Sequence, residues 1–180
     1  DVNMATEFLK SYGQKYNHEV GNLCSWKLRV LPYGALVEEE PIDNFTLVEL
    51  GFNKDGERIC KQLSDVKNKG YLIASPERRY LESESMTSFF NDVGERARIV
   101  ILDEMLRFDT SAFELNSGVT EIKNGLVAHF DPTKKKFIIS DSASAHEDYA
   151  NARDKFLVVS SEDDMEYLCG KETVRLEVMA

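Results

Sequence analysis

The residues with most chemistry to offer stand in two short phrases, His129-Phe130-Asp131 and His146-Glu147-Asp148. Imidazoles and carboxylates together are donors for a divalent transition metal. Alternate residues of a strand share a face, so His129 and Asp131 have the spacing that two ligands need. His146 and Asp148 lie across a loop, where no spacing argument holds. The chain carries 32 acidic residues, so histidines close to acids arise from composition alone. The expectation is that no metal and no organic cofactor occupies a functional site.

Other constellations fail sooner. Cys24, Cys60 and Cys169 are odd in number, far apart and outside any C-x-x-C spacing. They indicate neither a zinc site nor a disulfide framework. Each reads as a small hydrophobe filling a core gap, which fits a reducing compartment. There is no G-x-S-x-G elbow, and Ser142, Ser144 and His146 are close in sequence only, which is not how triads are built. Neither Cys60 nor Cys169 has a nucleophile's context. Asn53-Lys54-Asp55-Gly56 brushes the calcium-loop pattern, but counting back from Gly56 puts Gly51 where the first acidic ligand belongs. No P-loop is present, and no G-x-G-x-x-G follows a strand. Glu38-Glu39-Glu40 and Glu162-Asp163-Asp164 read as solvated loops. The chain is expected not to be an enzyme.

Charge narrows the partners. The net charge is −10 and the pI near 4.9. Nucleic-acid binding needs a positive footprint, and the one dense basic run, Lys134-Lys135-Lys136, falls in an expected turn. Mimicry of DNA needs ranked carboxylates, whereas these acids are interspersed with 22 basic residues. No stretch approaches the ~20 apolar residues that span a bilayer as a helix. No nucleic acid and no membrane are therefore expected as partners. The opening Asp1-Val2-Asn3-Met4-Ala5-Thr6 lacks the basic and apolar regions of a signal peptide. Met4 reads as the initiator with Asp1–Asn3 added before it, and the Asn44-Phe45-Thr46 sequon as chance.

The elements that must position these residues follow from periodicity. The 180 residues divide into an N-terminal arm, 1–40, and a domain, 41–180. In the arm Tyr12, Tyr16, Trp26 and Tyr33 recur without helical or strand period. They are the candidate interface residues, packing either on the chain's own core or on a neighbouring subunit. From Phe45 the texture becomes β. Phe45–Phe52 and Glu57–Leu63 read as a hairpin across Asn53–Gly56. Gly125–Phe130 and Lys136–Ser140 read as another, with Pro132 setting a type I turn. Arg96–Leu102 (RARIVIL) is apolar on both sides, as a central strand is. Ser85 to Gly94 reads as a short helix with Phe89, Phe90 and Val93 on one side, and Ala143–Ala152 as a loose second one. Thr173–Val178 alternates dry and wet and is expected to pair with Tyr167-Leu168. The expected fold is mainly β, an antiparallel barrel or sandwich with one or two short helices and an extended N-terminal arm.

Three phrases carry a resemblance: LPYGALVEEE in the arm, KNGLVAHFDPTKKKFIISD, and the closing KFLVVSS with TVRLEV. Together they resemble small virion proteins of tailed bacteriophages, the type encoded beside the major capsid protein, which decorate heads or form head fibres. The resemblance covers roughly half the chain and transfers no functional residue. It implies a non-catalytic structural protein of the virion, assembled in the host cytoplasm. Its implied partners are copies of itself, with a trimer expected, and the major capsid protein. The alternative is an acidic accessory or inhibitory module, phage or bacterial, that caps a protein target.

Overall fold

The computed structural model describes residues 18–25, 27–77, 89–160, 167–168 and 171–180. Two mixed β-sheets dominate it. The larger runs in the order β1 (Gly21–Leu23), β8 (Arg107–Thr110), β15 (Val174–Val178), β12 (Phe156–Val158), β10 (Val127–Asp131), β11 (Lys136–Ser140) and β9 (Phe113–Leu115). The smaller runs β6 (Arg96–Ala97), β2 (Ala35–Val37), β4 (Arg58–Gln62), β3 (Leu47–Phe52), β5 (Tyr71–Ile73) and β7 (Ile99–Val100). A separate ribbon joins β13 (Tyr167–Leu168) to β14 (Lys171–Glu172). No helix among the described residues is long and apolar enough to cross a membrane.

Both expected hairpins form. β3 and β4 pair antiparallel from Val48↔Gln62 to Phe52↔Arg58. Their turn is held by Asn53 Oδ1, which accepts from the amides of Asp55 and Glu57 at 3.0 and 2.9 Å. β10 and β11 pair from Val127↔Ser140 to Asp131↔Lys136, and Asp131 Oδ1 accepts from the Thr133 amide at 2.8 Å. In each sheet the strand preceding the hairpin then lands beside the hairpin's second member. β2 runs parallel to β4, and β9 runs parallel to β11. These two pairs make the sheets mixed, where an antiparallel barrel or sandwich was expected; neither sheet forms a closed barrel.

The apolar run at Arg96–Leu102 is not one central strand. It breaks at Arg98, whose amide donates to Ser75 Oγ at 3.0 Å and whose Nε donates to the Ala74 carbonyl at 2.5 Å. β6 pairs β2 at one end of the smaller sheet, and β7 pairs β5 at the other. The two ends are one residue apart in the chain, so the sheet must curl. Val37, Val48, Cys60, Ile73 and Ile99 fill one apolar cluster. Leu47, Leu72 and Val100 join a larger one with Phe108, Phe130, Phe137 and Phe156 of the larger sheet. Neighbouring residues of β3, β5 and β7 thus enter different cores, which is why that strand segment is apolar on both sides.

Helix is almost absent among the described residues. Ser85 lies outside the described residues. From Phe89 the chain is irregular: Phe89 and Phe90 are buried, Asn91 bridges to Ile42, and Gly94 takes a φ of 85°. The loose helix expected over 143–152 is two 3₁₀ turns, Ser142–Ser144 and Glu147–Ala150. Nor does the last strand pair with Tyr167-Leu168. β14 takes that place, and β15 enters the larger sheet between β8 and β12.

Candidate functional site

His129 sits on β10 between Ala128 and Phe130, which face the aromatic core, so its own side chain points to the opposite face of the sheet. The stretch 141–152 covers that face. Asp141 caps its first 3₁₀ turn by accepting from the Ala143 amide at 2.9 Å. The His146 amide donates to the buried Ser140 Oγ at 3.2 Å, tying the second turn to β11. His146 Nδ1 in turn accepts from the Asp148 amide at 3.3 Å.

Under this cover His129 has no solvent exposure, and neither ring nitrogen meets a hydrogen-bond partner. Its ring lies 5.2 Å from that of His146 and 6.2 Å from that of Tyr149. Tyr149 is itself capped by the Lys155 ammonium, 5.0 Å from the ring centre. His146 Nδ1 and Asp148 Oδ2 are 3.7 Å apart. One donor atom each from His129, His146 and Asp148 lie within 4.8 Å of one another. Burial, and after it the charge of His146, pushes the His129 imidazole down to about 4, so it is neutral at physiological pH. The ligand pair suggested by strand alternation, His129 with Asp131, is not formed: Asp131 is used by its own turn. The pair without a spacing argument, His146 with Asp148, is the one brought to His129.

A second constellation lies at the β9 edge. An open groove of about 550 Å³ runs past Glu19, Ser111, Phe113, Leu115, Lys136 and Lys171. Glu19 is buried and accepts from Ser111 Oγ at 2.5 Å, with Lys171 Nζ 3.9 Å away. The His18 amide donates to Asp43 Oδ1 at 3.1 Å. Burial raises the Asp43 carboxyl to about 6, and the Glu19 charge adds to the rise, while His18 and Lys171 pull the other way. Positions 19, 43, 111 and 171 have no local pattern in common, and no sequence signal marks them as neighbours.

Residues 14–179 match the family model of the YonC prophage proteins. The chain belongs to that family. It is also similar to the SPbeta prophage-derived uncharacterized protein YonC of Bacillus subtilis (strain 168), 55% identical over 177 residues, with 98% of this chain and 99% of the relative covered. No solved structure matches it. The phage origin implied by the three phrases therefore holds for this YonC-family chain, and both the histidine cluster and the edge groove lie inside the matched residues.

Of the four aromatic residues expected at an interface, Tyr12, Tyr16 and Trp26 lie outside the described residues of this YonC-family chain. Tyr33 is 94% exposed at the tip of a turn and has a φ of 62°. The following Gly34 presses on the β6 backbone, where a Cβ would stand 2.1 Å from the Ala97 carbonyl oxygen. The described part of the arm also feeds both sheets, through β1 and β2. Neither described cysteine is a thiolate at neutral pH. Burial pushes the Cys60 thiol up to about 12. Burial and the Asp109 carboxylate push that of Cys24 up to about 11. Cys24 Sγ donates to Asp109, whose carboxylate also accepts from Arg175 Nε at 2.8 Å.

Proposed function

We propose that this YonC-family protein is a non-catalytic structural component of the phage particle that decorates or attaches to the capsid through self-association. The observation that carries the reading is the edge strand β9. Among the described residues it pairs only with β11, and Phe113 and exposed Leu115 lie along it beside the open groove. A strand edge of this kind is a template for a strand from another chain. The partner proposed is a second copy, in a closed symmetric oligomer for which a trimer is the reading, with the capsid protein as the further contact. Tyr12, Tyr16, Trp26 and Tyr33 are the proposed aromatic anchors. The net charge of −10 favours soluble free subunits before assembly in the host cytoplasm.

Two measurements test this. Light scattering on the full chain is expected to give an oligomer. Leu115→Lys places a charge on the edge, a device that blunts strand pairing, and is expected to give a folded monomer whose melting temperature no longer depends on concentration. A chain beginning at His18 isolates the contribution of Tyr12 and Tyr16 while keeping β1 and β2. Mass spectrometry of purified particles is expected to find the protein in fixed ratio to the capsid protein. A wild-type monomer at high concentration, together with absence from particles, would sink the proposal in favour of the accessory module.

A further inference from the structure

We propose that His129, His146 and Asp148 bind a divalent zinc-type cation, which fastens the 141–151 segment to the outer face of the larger sheet. This inference stands on the cluster alone and is independent of the role in the particle.

Three observations converge on it. First, His129 is fully buried with both ring nitrogens unpartnered. A buried polar group without a partner is costly, and a cation bound at one nitrogen removes half of that cost. Second, the donors are close to closing. Tetrahedral zinc with bonds of about 2.0–2.1 Å sets its ligand atoms roughly 3.4 Å apart. His146 Nδ1 and Asp148 Oδ2 are at 3.7 Å, and the whole set lies within 4.8 Å. Side-chain rotation of His146 and Asp148, both partly exposed, covers the remainder. Third, the donor set selects the ion. Two imidazoles and one carboxylate suit zinc and its neighbours, with a fourth position left for water. Calcium and magnesium take oxygen ligands and are disfavoured.

The placement also explains the anchoring. His129 is held rigidly in mid-strand opposite Ile138, whereas His146 and Asp148 sit on a 3₁₀ turn. The Ser140 hydroxyl, which accepts from the His146 amide, positions that turn. A neutral imidazole has one lone-pair nitrogen, so ligation by His146 gives up its 3.3 Å cap bond. The bond lost is long, and the metal bond replaces it.

The test uses the full chain purified without chelator, and the same protein stripped and titrated with zinc or cobalt(II). The expected results are one zinc per chain, a melting temperature that rises with added zinc, and the intense visible bands of tetrahedral cobalt. Substitutions are confined to the turn, since replacing buried His129 endangers folding. His146→Ser keeps a cap acceptor and removes the imidazole; Asp148→Asn removes the charge. Each is expected to weaken zinc binding by at least about tenfold, and the double variant to lose the cobalt bands. Absence of zinc with no thermal shift on titration overturns the proposal. So does equal affinity in the wild type and the double variant, which would locate the binding elsewhere, for example at a cysteine.

Discussion

Phe137→Ala is expected to destabilise the fold by about 3–5 kcal/mol. For a chain of this size that is a fall in melting temperature of roughly 10 °C or more. Phe137 has no solvent exposure. Its ring meets those of Phe130 and Phe156 edge-on, at 5.1 Å each, and that of Phe108 at 5.6 Å. Three strands of the larger sheet besides its own therefore lose contacts at once, and the cavity opens where the two sheets face each other. The hole cannot easily collapse, because β11 is laddered to β10 on one side and β9 on the other. Phe52→Ala is the control. That ring is 63% exposed and holds the Arg58 guanidinium 4.6 Å from its centre, a contact worth about 0.5–1 kcal/mol. Urea unfolding of both variants separates the cases. A loss below about 1 kcal/mol for Phe137→Ala would mean that the aromatic cluster is not the centre of the core.

Asp43→Asn is expected to stabilise the protein, and by an amount that depends on pH. The Asp43 carboxyl is raised from 3.8 to about 6 in the folded chain, chiefly by burial and then by the neighbouring Glu19. Below the lower value it is protonated in both states and titration changes nothing. Between the two values the unfolded chain releases a proton that the native state retains, so stability falls as pH rises. Above the upper value the penalty is complete, about 3 kcal/mol at roughly 1.4 kcal/mol per pKa unit. Asparagine carries no charge and keeps an oxygen for the His18 amide. The advantage of the variant is expected to shrink by about 2 kcal/mol between about pH 7.5 and pH 4.5. His18 and Lys171, which face Asp43, pull its carboxyl in the opposite direction and limit the effect. Urea midpoints across that range are the measurement. A difference that stays constant with pH, or grows on acidification, would show that Asp43 is ionised in the native state throughout.

The chemistry of the candidate cluster was half legible. His129, His146 and Asp148 stood out by residue type, but strand alternation chose Asp131 as the companion of His129. Alternation places two side chains on one face and says nothing of what covers that face. Asp131 was claimed by the turn it begins, and a segment more than ten residues downstream folded back to bring His146 and Asp148 instead. Glu19, Asp43, Ser111 and Lys171 had no such signal, since each comes from a different element.

Local β content is legible in the order of the residues. Alternation and turn chemistry specify the β3–β4 and β10–β11 hairpins, because a hairpin's register is set by its turn and by side chains within a few residues. Composition and charge set the broad class, and three phrases pointed to a phage origin. How the pieces join is set by packing between distant segments. Two sheets and a ribbon divide the strands, β2 and β9 each pair parallel with the second strand of the hairpin that follows, and Arg98 splits one apolar run between opposite ends of a curled sheet. The same apolar alternation serves a strand in either sheet and in either direction. Long-range pairing is chosen by which faces can be buried together, and that depends on the whole chain at once.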